Sequence, residues 1–210
     1  MARQARLAVA GLMHYVLLRG HNGMVVMTDG EDRRLFLQAL REALTGCTLH
    51  GFALLDSEVH LLLRPAESGS LSRDVQALGR RFVAAYNRRH GRSGTPWDGR
   101  FRAAVVEPGA VALAVTQRVD QLGSTARPAS GLIVDPPEWW ALGNTPFERE
   151  AAYARRLADG LGAGQHRRIT DAVHKGWPLG AAAFVQALAA QIDRPVQPRP
   201  RGRPSRTARL

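Results

Sequence analysis

Glu58 and His60 stand two residues apart at the head of an apolar run, Glu-Val-His-Leu-Leu-Leu, that ends at Arg64. In an extended chain side chains alternate, so Glu58, His60 and Leu62 share one face while Val59, Leu61 and Leu63 take the other. A carboxylate and an imidazole side by side on a strand are hard oxygen and nitrogen ligands. They suit Mg²⁺ or Mn²⁺ better than a structural zinc. A histidine among leucines and valines is equally a half-buried side chain satisfied by its neighbours, and only the adjacent carboxylate raises the metal alternative.

The second chemical feature is charge. The chain carries 29 Lys and Arg against 18 Asp and Glu, a formal net charge of +11, and Lys175 is its only lysine. Nearly all of the positive charge therefore sits on planar guanidinium groups, which suit phosphate oxygens and base edges. Codon preference alone accounts for scattered arginines but not for their clustering: Arg80-Arg81, Arg88-Arg89-His90-Gly91-Arg92, Arg100-Phe101-Arg102, Arg167-Arg168, and a tail with Arg199, Arg201, Arg203, Arg206 and Arg209. Nucleic acid is the most economical partner.

The elements that must position these residues follow from periodicity. Residues 12–19, LMHYVLLR, predict a first strand ending at Gly20. Thr28-Asp29-Gly30-Glu31 has capping-box spacing, and Leu35, Phe36, Leu40, Ala43 and Leu44 then recur at helical period. Segments 48–55 and 58–64 read as strands joined at Asp56-Ser57 in a hairpin. Leu71, Val75, Leu78, Phe82 and Ala85 or Tyr86 then mark a long second helix, and at about 100° per residue Arg73, Arg80, Arg81 and Arg88 gather opposite that stripe. Residues 101–107 predict a fourth strand and 110–122 a third helix. The order β-α-β-β-α-β-α is α+β, a ferredoxin-like split βαβ core with one added helix.

Length and composition set the frame around this core. At 210 residues, 45% hydrophobic and 22% charged, the chain can bury a core, which excludes collagen-like, fully disordered and disulfide-scaffold classes. Cys47 is the single cysteine, so no internal disulfide forms, and neither a membrane-spanning run nor a signal peptide is expected. The expected organisation is a ferredoxin-fold domain at 1–125, a helical extension at 126–194 with helices near 147–160, 165–175 and 181–192, and a disordered basic tail at 195–210. In the linker after the core, Trp139 and Trp140 are expected to pin the Asp135–Trp140 turn by packing.

The chain resembles the REP-associated tyrosine transposases and the wider single-tyrosine HUH transposases over essentially its whole length. The matching pieces are MARQARLAVAGLMHYVLLRGHN, DGEDRRLFLQALREA, EVHLLLRP, LSRDVQALGRRFVAAYNRRHGRSGTPWDGRFRAAVVE and GLIVDPPEWW. The resemblance implies a ferredoxin-like fold, a homodimer, and a substrate of single-stranded DNA bearing an imperfect hairpin. With one cysteine and neither a signal peptide nor a membrane-spanning run expected, the place of action is expected to be cytoplasmic, at the nucleoid. In that family two histidines of a His-hydrophobe-His strand hold a divalent cation, and a helix-borne tyrosine attacks a DNA phosphate to give a 5′-phosphotyrosine.

Residue by residue, three positions depart from that pattern. His60 falls on the second histidine, but Glu58 falls on the first. The tyrosine of the family's Arg-Tyr-Ile-Glu-Leu-Asn-Pro stretch is Val119, and the polar residue one turn later is Gly123. Valine has no nucleophilic atom, so the family's covalent step is not expected. Of the tyrosines present, Tyr15, Tyr86 and Tyr153, Tyr86 is the substitute to consider, although its place in the apolar stripe reads as core. The expected function is therefore hairpin-DNA binding with cleavage impaired; the alternative is an active Mg²⁺- or Mn²⁺-dependent single-strand endonuclease or transposase built on Glu58 and His60. An RNA-binding module is a third class, disfavoured because no aromatic pair marks the central strands. The expected DNA-contacting residues are Arg73, Arg80, Arg81, Asn87, Arg88, Arg89, Arg92, Arg100 and Arg102, with Trp97 and Phe101 as stacking surfaces, Trp97 being equally a core anchor. In the tail, Arg201 and Arg203 of Pro-Arg-Gly-Arg-Pro resemble an A·T minor-groove hook.

Overall fold

Four strands of period-two alternation and two helices with apolar stripes build a βαββαβ unit. The computed structural model describes residues 7–123, 131–192 and 195–196. Strands β1 (Met13–Arg19), β2 (Cys47–Leu54), β3 (Glu58–Pro65) and β4 (Arg102–Val106) form one fully antiparallel sheet in the order β2-β3-β1-β4. Helices α1 (Gly30–Ala43) and α2 (Ser70–His90) are the crossovers. This is the ferredoxin-like α+β arrangement the spacing predicts, each element lying within a residue or two of its expected bounds.

Alternation along the strands divides the core into two layers. Val16 and Leu18 of β1, with Val59, Leu61 and Leu63 of β3, face Phe36 and Leu40 of α1 and Val75, Leu78 and Phe82 of α2. Tyr15 and Leu17, with Leu62, Ala53 and Ala104, face the opposite way, toward α3 (Ala110–Leu122) and α6 (Ala163–Lys175). Both faces are covered, which is why β1 and β3 read as near-continuous apolar runs.

The C-terminal helices lie on this second face. Val115 and Val119 of α3 and Ile169, Ala172 and Val173 of α6 pack in one cluster with the sheet. Leu179, beyond α6, extends the β4 edge: its N–H donates to the Val105 carbonyl at 2.8 Å, and the Glu107 N–H donates to its own at 2.9 Å. Helix α5 (Pro146–Asp159) is tied to α3, since Tyr153 Oη donates to Asp120 Oδ2 at 2.5 Å and Gln117 Nε2 donates to the Arg156 carbonyl at 2.5 Å. A final helix, α7 (Ala182–Gln191), buries Val185 and Leu188 against Leu7 and Val105.

Two local expectations change. The cap of α1 is Asp29 rather than Thr28: its carboxylate accepts the Glu31 and Asp32 N–H groups at 3.0 Å each. Thr28 instead donates to Asp32 Oδ2 through both backbone and hydroxyl. The tryptophans also divide. They close a one-turn helix, α4 (Pro137–Trp140), in which Trp139 packs edge-on to Tyr153 with centroids 4.8 Å apart. Trp140 is not a core pin: it is 58% exposed, with the Arg149 guanidinium over its ring. Among the described residues no helix is long and apolar enough to cross a membrane.

Candidate functional site

Glu58 and His60 do share a face of β3, with His60 Nε2 3.4 Å from Glu58 Oε2. That contact is electrostatic rather than an aligned hydrogen bond, so Nε2 is buried without a hydrogen-bond partner. Strand register brings Arg19 of β1 opposite Glu58, and Leu17 opposite both His60 and Arg102 of β4. Arg19 Nε lies 3.0 Å from Glu58 Oε1. His60 Nδ1 is joined to Tyr15 Oη by a 2.8 Å hydrogen bond. From α6, the His174 carbonyl accepts a hydrogen bond from Arg102 Nη1 at 2.7 Å.

The electrostatics follow from these contacts. The His60 imidazole, and after it Arg19 and His174, hold the Glu58 carboxyl below the usual carboxylate range against the opposing effect of burial. Burial drives the Tyr15 phenol well above its ordinary value. Burial, then the Arg19 and Arg102 guanidinium groups, lowers the His174 imidazole. Two guanidinium groups, Arg19 and Arg102, and one carboxylate, Glu58, meet here.

These residues do not fit a divalent cation. One Glu58 oxygen is held by a guanidinium and His60 Nδ1 by Tyr15. Among the described residues no group of three His, Cys, Asp or Glu side chains could hold a metal ion. A cation at the remaining Glu58 oxygen and His60 Nε2 would sit beside Arg19 and close to Arg102, with two protein ligands.

Of the three tyrosines, Tyr15 is the one that touches His60. Val119, 0% exposed, lies in the α3 cluster with Leu62 and Ala53, on the His60 side of the sheet. A side chain built at Gly123 would make ordinary contact with Ala53 and the Phe52 carbonyl, each 3.7 Å from its Cβ. Tyr86 lies away from this cluster: it is 2% exposed in the α1–α2 core, between the Phe82 and His90 rings at 5.4 and 4.3 Å, with the whole sheet between it and His60. Tyr153 is spent on Asp120. Tyr15 touches His60 but is itself 2% exposed.

The basic face of α2 forms as its spacing predicts, with Arg73, Arg80, Arg81 and Arg88 all exposed. Their partners differ. Arg73 lies 3.5 Å from Asp74 and Arg81 3.5 Å from Glu42. Arg80, Arg88 and Arg100 take no carboxylate partner among the described residues. Several expected contacts serve the fold instead. Arg89 clasps Asp29 and Asp32 at the start of α1, each at 2.5 Å. Asn87 Nδ2 donates to the Gly94 carbonyl at 2.8 Å, closing the loop after α2. Arg92 covers the Tyr86 ring and donates to Met24 Sδ.

Trp97 is a correction. It is 6% exposed, its ring centroid 5.6 Å from Phe82 and 6.4 Å from Phe36, so it anchors the core and presents no face to a base. Phe101 is half-buried against the same cluster. Arg102 separates from the α2 arginines and joins the Glu58 cluster across the sheet. Arg201 and Arg203 lie outside the described residues. Sequence reasoning missed Tyr15, Arg19 and His174. The first two had a signal, because alternation in LMHYVLLR places Tyr15, Leu17 and Arg19 on one face; His174 had none, since it arrives from a helix distant in sequence.

No protein-family model and no curated protein matches the chain. Among solved structures it is similar to a REP-associated tyrosine transposase bound to a REP hairpin, at 11% identity and a TM-score of 0.48, covering 87% of this chain and 92% of that one. It is also similar to a protein of Deinococcus radiodurans R1 assigned provisionally as a transposase, at 17% identity and a TM-score of 0.41, covering 59% of this chain and 100% of that one. Both structural neighbours carry a transposase name.

Proposed function

We propose that this chain is a DNA-binding protein of transposase-like design that holds single-stranded hairpin DNA on the arginine face of α2 and does not form the phosphotyrosine of the family it resembles. The observation that carries this reading is the exposed face of α2, where Arg80 and Arg88, without carboxylate partners among the described residues, stand with Arg73 and Arg81; Arg100, exposed in the loop before β4, also takes no carboxylate partner there. Cation density of that kind has no structural task in the fold. Val119, sealed in the core where the resemblance puts the tyrosine, supports the loss of the covalent step. In this reading the tail, through Arg201 and Arg203, adds A·T minor-groove contacts, the working form is a homodimer, and the place of action is the nucleoid. A metal-dependent nuclease at Glu58 and His60 is not favoured, because Arg19 already neutralises the carboxylate.

The test is a gel-shift titration with a hairpin oligonucleotide taken from DNA flanking the gene. Three phosphate contacts give a slope of about −2 to −3 in log affinity against log salt, so affinity falls roughly 20- to 40-fold between 50 and 200 mM. A salt-independent shift, or no shift at 50 mM, would contradict the proposal.

A further inference from the structure

The Glu58 cluster contains more cation than its single carboxylate balances. Arg19 pairs with Glu58, with side chains 38% and 28% exposed, so the pair forms a rim that solvent reaches. Arg102 is exposed and commits one guanidinium nitrogen to the His174 carbonyl, which fixes it beside that imidazole. At the base of this rim His60 is 5% exposed, and its Nε2 has no hydrogen-bond partner.

The tautomer of His60 follows from Tyr15. The phenol is buried, and its hydroxyl meets His60 Nδ1. With the buried hydroxyl donating to Nδ1, an imidazole bearing one hydrogen carries it on Nε2. A buried N–H donor without an acceptor is costly unless something fills it. Beside it Glu58 is paired with Arg19, which leaves the Arg102 guanidinium, anchored on the His174 carbonyl, as the cation without a carboxylate partner among the described residues. A divalent cation would be repelled there; an oxyanion would be attracted.

We propose that Arg19, Arg102, His174 and the Nε2–H of His60 form a seat for a phosphate group that needs no divalent cation, the guanidinium groups taking the place of the metal. Guanidinium forks match phosphate oxygens bidentately, and a pre-anchored fork loses little entropy on binding. The seat lies across the sheet from the α2 arginines and stands independently of the DNA reading.

The full-length protein, labelled with ¹⁵N at histidine and held in EDTA, is titrated first with inorganic phosphate and then with a short oligothymidylate, while imidazole resonances are followed. Without ligand, His60 is expected as the Nε2–H tautomer. Phosphate should shift the His60 and His174 signals saturably, and Arg102→Gln should weaken the response at least five-fold. Because Arg19→Gln alters a strand pair, it is compared only after circular dichroism matches that of the parent. A response to inorganic phosphate alone identifies a free phosphate as the occupant; a response to oligothymidylate as well identifies a backbone phosphodiester. No saturable shift from either ligand, a shift that needs added Mn²⁺, or an unchanged response in Arg102→Gln would overturn the seat. A hairpin gel shift that persists with silent imidazoles would leave the DNA reading standing while removing this one.

Discussion

Single side chains decide what this site can do. Tyrosine at position 119 would have to enter a cluster in which valine is 0% exposed, and overpacking of that kind costs about 1–3 kcal/mol. Val119→Tyr should therefore lower the melting temperature by several degrees without producing a DNA adduct; an unchanged melting curve, or a phosphotyrosine product, would show that the α3 site is more open than its packing indicates. On the α2 surface, Arg80→Ala with Arg88→Ala should weaken hairpin binding across sequences and flatten the salt slope by about 0.7–0.9 per arginine. Unaltered binding in a salt titration would place the interface elsewhere. His14 sets a pH limit on the fold. It is 0% exposed, accepts the Val9 N–H at Nε2 and donates from Nδ1 to the Leu12 carbonyl, and burial, only partly offset by that carbonyl, pushes its imidazole down to about 4. The unfolded chain binds a proton near 6.5 that the folded chain refuses, so stability is full above pH 6.5 and declines as pH falls toward 4, by about 3 kcal/mol in total. Urea unfolding at pH 7 and pH 4.5 should show this decline, and it should shrink in His14→Gln.

At the level of elements, the clasp between the start of α1 and the end of α2 holds the arginine-bearing helix in place. Asp32 is buried and accepts from Thr28, Arg89 and His90; burial opposes its charge, yet those hydrogen bonds, Thr28 first, hold the carboxyl at about 2. Asp32→Ala would leave several donors unpaired and should cost about 2–3 kcal/mol, allowing for the partial exposure of Arg89. A loss below 0.5 kcal/mol in chemical denaturation would mean the clasp is ornamental. Arg88 and Arg92 flank this clasp, so hairpin affinity should fall in the same variant although Asp32 touches no phosphate. Every core strand and helix here was legible in the sequence, because period-two and period-3.6 stripes survive wherever an element buries one face. What periodicity could not give was the partner of each polar residue. Arg89 looked like a phosphate ligand by its place in an arginine run, and its engagement by Asp29 and Asp32 depends on a contact nearly sixty residues distant. Trp97 looked like a stacking surface, and the Phe36–Phe82 pair that encloses it is assembled only by the packing of α1 on α2.

The whole molecule depends on both faces of its sheet being covered. Deleting everything after residue 123 would remove α6 and expose Met13, Tyr15, Leu17 and Ala104, which now pack with Ile169, Ala172 and Val173; that fragment should lose cooperative unfolding and bind a hydrophobic dye, whereas removal of residues 197–210 alone should not. A fragment that unfolds as sharply as the full chain would make the C-terminal helices an independent unit. The two-sided design also separates two kinds of site. The arginine face of α2 looks out on one side, while Glu58, His60, Arg19 and Arg102 lie on the other, beside the end of α6. Glu58 and His60 were legible as a pair from strand alternation, but their engagement by Arg19 and Tyr15 required the β1–β3 register. The most direct test of the central claim is one reaction on two gels: the protein, a labelled single-stranded hairpin from DNA flanking its gene, and Mn²⁺, resolved under denaturing and native conditions beside His60→Ala. Full-length DNA on the denaturing gel, retarded on the native gel by both proteins, is the predicted result. A labelled adduct that survives denaturation, or a cleaved strand lost in His60→Ala, would contradict it.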